Sequence, residues 1–382
     1  MSRRRQRRSG GPRLAAALLV TALLAACSPA RLDDSLTLLR GLSAGLEADA
    51  EPVARTATAF TADGRAYMAD LYATKRVRAD LVLVPGAVRG GRRDPRLVAF
   101  AETLARAEFR VLVPELAAMR ALQVTSNDAR ILAAAARHLE KEAPARPRGL
   151  AAVSFAVGPA VLAVDQGAPL DFVVAIGGYH DLEAAIAYFT TGYFRAGSDA
   201  PWRYRAPNAY GKWVFVLSNV PRLADAEDRR LLRRMAERRL ADLDADIQPL
   251  VAELGPEGSA VYALLVNDDP ERVPALIDDL PAAIRREIEA LDLADLDFDG
   301  WDRRAIATRF VLIHGAEDPV IPATQSRALA RALGPERSSL YLVDGLRHID
   351  PADVGPAGSL TLLRATYRVL TLRNGVAADA AN

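Results

Sequence analysis

The sequence predicts an α/β protein, in which a mostly parallel, doubly wound sheet is interrupted by a helical insertion. From Asp80 to Gly178, short apolar runs alternate with amphipathic stretches, which is the pattern of consecutive βαβ units. From about residue 180 to 302 the alternation gives way to charged helical sequence, and it resumes at Phe310. We therefore expect a cap of residues 180–302 inserted into one core, rather than a separate domain at one end.

Length and composition narrow the possible classes of protein. The chain has 382 residues, 51% hydrophobic and 25% charged, which suits a large globular domain with an insertion or two domains. A formal net charge of +1 gives no strong attraction for nucleic acid, so we expect no nucleic-acid partner. The sequence contains no metal-ligand cluster and no glycine-rich phosphate loop. We therefore expect neither a metal nor another cofactor.

Residues 1–26 have the pattern of a targeting segment. An arginine-rich start precedes an apolar stretch, Leu14–Ala26, that is too short to span a bilayer comfortably. It ends in Leu-Ala-Ala-Cys27, which resembles the lipobox of bacterial lipoproteins. That resemblance implies that Cys27 is lipidated and holds the protein on a bilayer of the cell envelope, at the outer membrane or the periplasmic face of the inner membrane. The alternative is an ordinary secretory signal cleaved nearby, with the chain's single cysteine incidental.

The first folded elements precede the alternating region. Residues 27–52 have a weak helical spacing of leucines, which predicts a tether followed by a packing helix. The runs Ala54–Phe60 and Arg65–Ala73 are strand-like, and Asp63-Gly64 between them is a strong signal for a hairpin turn.

The first part of the core comprises residues 53–179 and includes the alternating region. Its predicted strands and helices are Leu81–Val84, Pro95–Ala107, Phe109–Val113, Asn127–Glu140, Leu150–Val153, Gly158–Val164 and Phe172–Ile176. Ligands of such sheets bind outside the carboxyl ends of the strands. Pro85-Gly86, Ser154 and Gly177-Gly178 all follow strands directly, so they are predicted to lie at that edge.

The second part of the core comprises residues 303–375, followed by a tail of residues 376–382. Its predicted elements are a strand, a helix, a strand and a closing helix: Phe310–Ile313, Ala323–Leu333, Leu340–Val343 and Gly358–Leu372. Within the insertion, Ala224–Leu243 and Pro281–Leu291 carry apolar residues at helical spacing with charged residues between them. These charged faces are expected to be solvated.

Ser154 lies between a predicted strand and a predicted helix. A serine on such a tight turn is held clear of the sheet, and the next residue can offer a backbone N–H to an oxyanion. The usual pattern is Gly-x-Ser-x-Gly, whereas this chain has Ala152 and Ala156 at the two glycine positions. By itself the motif is weak, because a serine between small residues at the end of a strand is also ordinary turn chemistry.

Nucleophilic catalysis by serine requires a histidine to take the proton and a carboxylate to orient that histidine. The candidate carboxylate is Asp318, in the segment Gly-Ala-Glu-Asp-Pro-Val-Ile-Pro after a predicted strand. The chain has four histidines. His138 lies in the middle of a predicted helix and is expected at the surface, and His314 directly follows a strand and is expected to pack. His180 and His348 lie in loops at the ends of strands.

The order of these features resembles the α/β-hydrolase superfamily from about residue 53 to 372. The serine turn comes first, then the inserted cap, Gly-x-x-Asp-Pro-Val-x-Pro after one strand and Gly-x-x-His after the next. The resemblance implies that Ser154 is the nucleophile, His348 the general base and Asp318 the residue that orients the histidine. It further implies an oxyanion hole formed by the backbone N–H groups of Ala87 and Phe155.

Two function classes follow from the sequence. The first is a membrane-anchored serine hydrolase that cleaves a carboxylic ester or related acyl bond of a small molecule through an acyl-enzyme. The second is a non-catalytic lipoprotein with the same fold, a binding or assembly module, which the two missing glycines favour. Tyr179 and His180 follow a strand at the same edge, where they could contact substrate, anchor the cap or be purely structural. The substrate and the oligomeric state stay open.

Overall fold

A computed structural model describes residues 28–44 and 51–375. Cys27, the targeting segment and the predicted tail of residues 376–382 lie outside these residues. Within the described ranges, no helix combines the length and the apolar character needed to cross a membrane.

The core is an eight-stranded sheet in the order β1-β2-β4-β3-β5-β6-β9-β10. The first two strands form an antiparallel hairpin, the second strand also pairs antiparallel with the fourth, and all other neighbours are parallel. The strands are β1 Ala54–Ala62, β2 Arg65–Ala73, β3 Ala79–Val84, β4 Phe109–Pro114, β5 Arg148–Val153, β6 Phe172–Ile176, β7 Tyr193–Phe194, β8 Arg203–Tyr204, β9 Arg309–Gly315 and β10 Ser338–Val343. Strands β7 and β8 form a separate small hairpin.

The sequence explains the hairpin at the start of the sheet and the burial of its central strand. Asp63 and Gly64 both have positive φ angles, 49° and 74°, as a two-residue type I′ hairpin loop requires, and Ala62 pairs with Arg65 across them. All six residues of β3 are buried, because a parallel strand in the middle of the sheet is covered on both faces. The predicted α/β class with a mostly parallel sheet is therefore confirmed.

Helices cover both faces of the sheet. Helices α1, α2 and α15 pack on one face, whereas α4, α5 and the helices between β6 and β9 belong to the hydrophobic cluster on the other. The helices are α1 Pro29–Ala44, α2 Pro95–Arg106, α3 Ala117–Arg120, α4 Asn127–Glu142, α5 Val157–Asp165, α6 Leu182–Thr191, α7 Tyr210–Asn219, α8 Ala226–Ala241, α9 Gln248–Val251, α10 Pro256–Val266, α11 Val273–Asp278, α12 Ala282–Leu291, α13 Arg303–Ala307, α14 Thr324–Leu333 and α15 Pro356–Arg373.

Helix α1 is fixed to the body of the protein from its first residues. The backbone N–H of Ser28 donates to the hydroxyl of Tyr367, 3.0 Å away, and the guanidinium of Arg31 donates to Thr371 at 2.9 Å. Leu38 is buried in the same cluster as α2 and α15. The packing helix predicted within residues 27–52 thus begins directly after Ser28.

The segment between β6 and β9 lies over the carboxyl ends of the strands. The hydroxyl of Tyr210 donates to the carbonyl of Ala87, in the loop after β3, at 2.7 Å. The N–H of Asn208 donates to the carbonyl of Pro319, in the loop after β9, also at 2.7 Å. These contacts join the insertion to the loops that follow two different strands of the core.

Candidate active site

Ser154 stands at the point where β5 turns into a helix. It opens a single 3₁₀ turn, Ser154–Ala156, that runs directly into α5, and its φ angle is +59°. A non-glycine residue in this left-handed region stores roughly 1–3 kcal/mol of strain, and such residues concentrate at functional sites. The sharp turn leaves Ser154 9% exposed at the carboxyl edge of the sheet.

The alanines at the two glycine positions fit this turn. Ala152 and Ala156 are completely buried, so their methyl groups are accommodated by the surrounding packing. The close approaches that require glycine fall elsewhere: a Cβ on Gly158 would lie 1.9 Å from the Tyr179 hydroxyl oxygen. A Cβ on Gly178 would lie 2.5 Å from the first side chain of α5. The tight contacts between strand ends and helix are therefore present, at positions different from the usual motif.

His348 joins Ser154 to Asp318 through two hydrogen bonds. Its Nε2 lies 2.8 Å from Ser154 Oγ, and its Nδ1 lies 2.8 Å from Asp318 Oδ2. Because an ionised carboxylate only accepts hydrogen bonds, the neutral histidine carries its proton on Nδ1, and Nε2 is left to accept from the serine hydroxyl. The three residues predicted from the sequence are thus brought into one chain of hydrogen bonds.

Asp318 is completely buried and every part of its carboxylate has a partner. Oδ1 accepts the N–H groups of Val320 at 2.7 Å and Ile321 at 3.0 Å. Burial alone would raise the pKa of the carboxyl, but hydrogen bonds from His314 and His348 outweigh it and hold that pKa well below its usual range. Asp318 therefore stays an anion at neutral pH.

His314 contributes to the site in a way that the sequence analysis missed. It is fully buried, as a packing residue would be, but both ring nitrogens have polar partners. Nδ1 lies 2.6 Å from Ser326 Oγ, while Nε2 lies 2.9 Å from the Ile321 carbonyl and 3.4 Å from Asp318 Oδ2. With a proton on Nε2, His314 donates to the loop that holds Asp318. The four-residue spacing from His314 to Asp318 after a strand was the available signal.

The loop after β3 lies directly against the serine. A Cβ on Gly86 would be 3.2 Å from Ser154 Cβ, a tight contact that glycine avoids. Ala87 follows in the same loop, and the contact of its carbonyl with Tyr210 fixes its position. Phe155 lies in the first turn of the helical segment, where backbone N–H groups have no acceptor within the helix. The oxyanion role of the Ala87 and Phe155 N–H groups stays a prediction.

Tyr179 and His180 connect the end of β6 to the insertion. The buried Tyr179 hydroxyl donates to the carbonyl of Leu291 at 2.9 Å, and the N–H of Leu293 donates to the carbonyl of His180 at 3.0 Å. The His180 ring stacks at 6.3 Å on Phe298, and burial lowers its pKa. These contacts suit a cap anchor, and neither side chain is hydrogen-bonded to Ser154, Asp318 or His348. A role in contacting substrate stays a prediction.

A small apolar cavity of about 40 Å³ lies between the core and the insertion. Val124, Phe155 and Tyr179 form its core side, and residues of α6, α7 and α12, most of them aromatic or aliphatic, form the remainder. Within residues 28–44 and 51–375, no group of three histidine, cysteine, aspartate or glutamate side chains is placed to hold a metal ion. His138 lies half-buried on α4, with Nε2 3.5 Å from a Glu142 carboxylate oxygen.

Comparison with known proteins gives the class of fold. No protein-family model matches the sequence, and a search of the curated proteins finds no match. Among solved structures, a Legionella pneumophila protein described provisionally as a hydrolase matches with a TM-score of 0.53 at 10% identity, over 89% of this chain and 95% of that one. The eight-stranded sheet, with its antiparallel start and helices on both faces, is the α/β-hydrolase fold.

Two further solved structures match less closely. A meta-cleavage product hydrolase from Pseudomonas fluorescens has a TM-score of 0.44 at 16% identity, over 84% of this chain and 98% of that one. A puromycin-hydrolysing peptidase from Mycobacterium tuberculosis has a TM-score of 0.47 at 15% identity and covers 86% of this chain. The present chain spans only 40% of that peptidase's length.

Proposed function

We propose that the protein is a serine hydrolase that cleaves a carboxylic ester or a related acyl bond. The observation that carries the proposal is the chain of hydrogen bonds from Ser154 through His348 to Asp318, both of 2.8 Å. A serine nucleophile needs a base within about 2.6–3.2 Å and a third group that orients the base, and this arrangement supplies both. The α/β-hydrolase fold is compatible with many activities, so the proposal rests on the site rather than on the fold.

The geometry suits a two-step reaction. Ser154 Oγ attacks the substrate carbonyl while its proton passes to His348 Nε2, and the ionised Asp318 stabilises the resulting imidazolium. When the tetrahedral intermediate collapses, His348 returns the proton to the leaving group and an acyl-enzyme remains on Ser154. Water then attacks the acyl group with His348 again as base, and the acid product leaves with the serine hydroxyl restored.

The developing oxyanion would be stabilised by the N–H groups of Ala87 and Phe155. Support comes from their positions, since one directly follows Ser154 and the other follows Gly86, which lies against Ser154. Removal of one such donor slows catalysis by roughly a hundredfold or more. Because both donors belong to the backbone, they remain when these side chains are changed.

The insertion would act as a lid that restricts the acyl group. Its contacts with the loops after β3 and β9 hold it over the edge where Ser154 lies, and the small apolar cavity beneath it is lined by Phe155, the residue next to Ser154. We therefore expect esters of short acyl chains to react faster than esters of long ones. Phe215→Ala, which enlarges the cavity, should shift the preference towards longer chains; an unchanged chain-length profile would contradict the lid.

We also propose that a lipid on Cys27 anchors the protein to the bilayer. The support is the lipobox-like sequence, and the described chain continues from it at Ser28, which is already hydrogen-bonded to Tyr367. The enzyme body would therefore be held close to the membrane surface, without a long flexible linker.

The decisive test of the activity is a panel of acyl esters of increasing chain length, assayed with the wild type and with Ser154→Ala. We expect hydrolysis by the wild type of at least one ester and none above background by the variant. A folded wild-type protein that hydrolyses no ester, thioester or amide of the panel would favour the binding-module alternative.

A further inference from the structure

A second, larger cavity lies at the carboxyl edge of the sheet, beside β9 and β10. Its volume is about 350 Å³ and its lining is mostly polar. It is bounded by the loops that follow these two strands, by the start of α14 and by the β7–β8 hairpin. Neither Ser154 nor His348 lines it. The cavity is therefore distinct from the candidate active site, although Asp318 lies in the loop that separates them.

Three arginines line this cavity: Arg203, Arg205 and Arg327. In the described part of the chain, none of their guanidinium groups forms an ion pair with a carboxylate. Arg203 and Arg205 both lie over the Phe194 ring, 5.8 and 5.4 Å from its centroid, and Arg205 also donates to the Asp318 carbonyl at 3.3 Å. Clustered guanidinium groups attract anions, and the planar guanidinium matches carboxylate and phosphate oxygens.

The start of α14 adds a second anion-binding feature. Thr324 is the first residue of this ten-residue helix, and its hydroxyl oxygen is buried without a hydrogen-bond partner. The helix N-terminus carries a partial positive charge and unpaired N–H groups, which favour an anion. Thr324 and Arg327 of α14 thus line the same cavity as Arg203 and Arg205.

Two acidic residues limit the kind of anion that fits. Glu317 and Asp344 also line the cavity, so three guanidinium groups and two carboxylates leave a formal charge of +1. This balance disfavours a highly charged anion. It suits a single carboxylate held by the arginines, with hydroxyl or ammonium groups that donate to Glu317 and Asp344.

We propose that this cavity is a binding site for a small carboxylate that carries hydroxyl or ammonium groups. The carboxylate is either a free molecule or part of the molecule that Ser154 attacks. The site itself does not depend on the proposed hydrolase activity, because none of its lining side chains belongs to the Ser154, His348 and Asp318 set.

Saturation-transfer NMR with lactate tests the proposal, with propane-1,2-diol as the uncharged analogue. We expect the wild type to bind lactate and not the diol. The double variant Arg203→Gln/Arg327→Gln should bind lactate at least about tenfold more weakly, the effect of losing charge-assisted hydrogen bonds. The matched control, Arg233→Gln/Arg234→Gln, removes two exposed arginines of α8 and should bind as the wild type does.

Further measurements show whether the variants are folded, and they distinguish a free carboxylate from a carboxylate of the substrate. Each variant should melt within a few degrees of the wild type, and Ser154→Ala should retain lactate binding whether or not the protein is a hydrolase. A rise in KM of the double variant for an anionic ester alone would identify the substrate's own carboxylate. Unchanged KM values with lactate binding lost would identify a free carboxylate. Absent lactate binding, equal binding of the diol, or lactate binding unaffected by the arginine substitutions would overturn the proposal.

Discussion

The Nε2 atom of His348 lies 2.8 Å from Ser154 Oγ, although 194 positions separate the two residues in the chain. The contact follows from the topology of the sheet. Ser154 follows β5 and His348 lies in the loop after β10, and the parallel strands β6 and β9 lie between them in the sheet. Because the strands run parallel, the loops after their carboxyl ends meet at one edge, where the two side chains reach each other.

Removal of Ser154 or His348 should abolish most of the esterase activity. Ser154→Ala and His348→Ala should each lower kcat on the order of 10⁴-fold or more, and the double variant should be little worse than either, because the residues act as a unit. Asp318→Asn should cost less, since it disturbs the histidine without deleting nucleophile or base. Steady-state kinetics on the best ester of the panel measures all four effects.

His180→Ala is the control that separates the two loop histidines. Its ring is stacked on Phe298 away from the hydrogen-bond chain, so Ser154 should remain reactive in this variant, even if substrate affinity falls. Full activity of His348→Ala together with an inactive His180→Ala would mean that the wrong base has been identified.

His314, which is buried next to Asp318, should act as a positioning residue. His314→Leu removes the donor shared by the Ile321 carbonyl and Asp318 Oδ2, so kcat should fall by about tenfold or more while KM changes little. His314→Gln can still donate from its amide and should recover part of the loss. Ser326→Ala, which removes the partner of His314 Nδ1, should give a smaller decrease.

Thermal melts distinguish this role from simple packing. If His314→Leu and His314→Gln lose activity equally, or if activity falls only in proportion to stability, His314 has no specific effect on Asp318. Ser326→Ala leaves the buried Nδ1 of His314 without a partner, so it should lower the free energy of unfolding by about 1–3 kcal/mol, and its activity is compared with that loss.

Asp128 should make the stability of the protein depend on pH. Burial raises the pKa of this carboxyl to about 6, although the N–H and hydroxyl of Thr125 donate to it. A carboxyl whose folded pKa is raised contributes its full stability below the unfolded pKa near 4, and this contribution is lost as pH rises through about 6. The loss should be on the order of 3 kcal/mol, at 1.36 kcal/mol per unit of pKa.

Denaturant unfolding at a series of pH values measures the effect of Asp128. The free energy of unfolding of Asp128→Asn should lack the decline between about pH 4 and 7 that the wild type shows. Asp63→Asn, in the exposed hairpin turn, is the matched control and should follow the wild type. Parallel curves for Asp128→Asn and the wild type would contradict the assignment.

The lipid anchor gives a separate prediction. Wild-type protein made in a bacterial host that processes lipoproteins should incorporate labelled fatty acid and sediment with membranes. Cys27→Ala should do neither, because it removes the chain's single thiol. Equal labelling of the two proteins would exclude lipidation at Cys27 without affecting the proposed chemistry at Ser154.

The sequence was sufficient to predict most of the core. Strand–helix alternation locates the sheet because buried parallel strands are short apolar runs. The Asp63-Gly64 pair predicts the hairpin because both residues readily adopt the positive φ angles of a type I′ turn. Ser154, Asp318 and His348 each follow a parallel strand, and parallel strands present their carboxyl ends at one edge, so their positions in the sequence predicted that they would lie close together.

Other features of the site depend on three-dimensional packing. The two alanines beside Ser154 left its turn in doubt, because the close contacts that need glycine occur instead at Gly158 and Gly178, and no linear motif marks those contacts. The hydrogen bonds of His314 depend on how the loop after β9 folds back on itself. The arginines of the second cavity come from elements more than a hundred residues apart, so their convergence has no sequence signal.

The most direct test of the central claim is labelling by a fluorophosphonate probe, which reacts only with an activated serine. The wild type should be labelled once, at Ser154, as located by mass spectrometry of the digested protein. His348→Ala should be labelled far more slowly despite retaining the serine, and Ser154→Ala should not be labelled. Folded wild-type protein that resists the probe, or label at another serine that is unaffected by His348→Ala, would contradict the account.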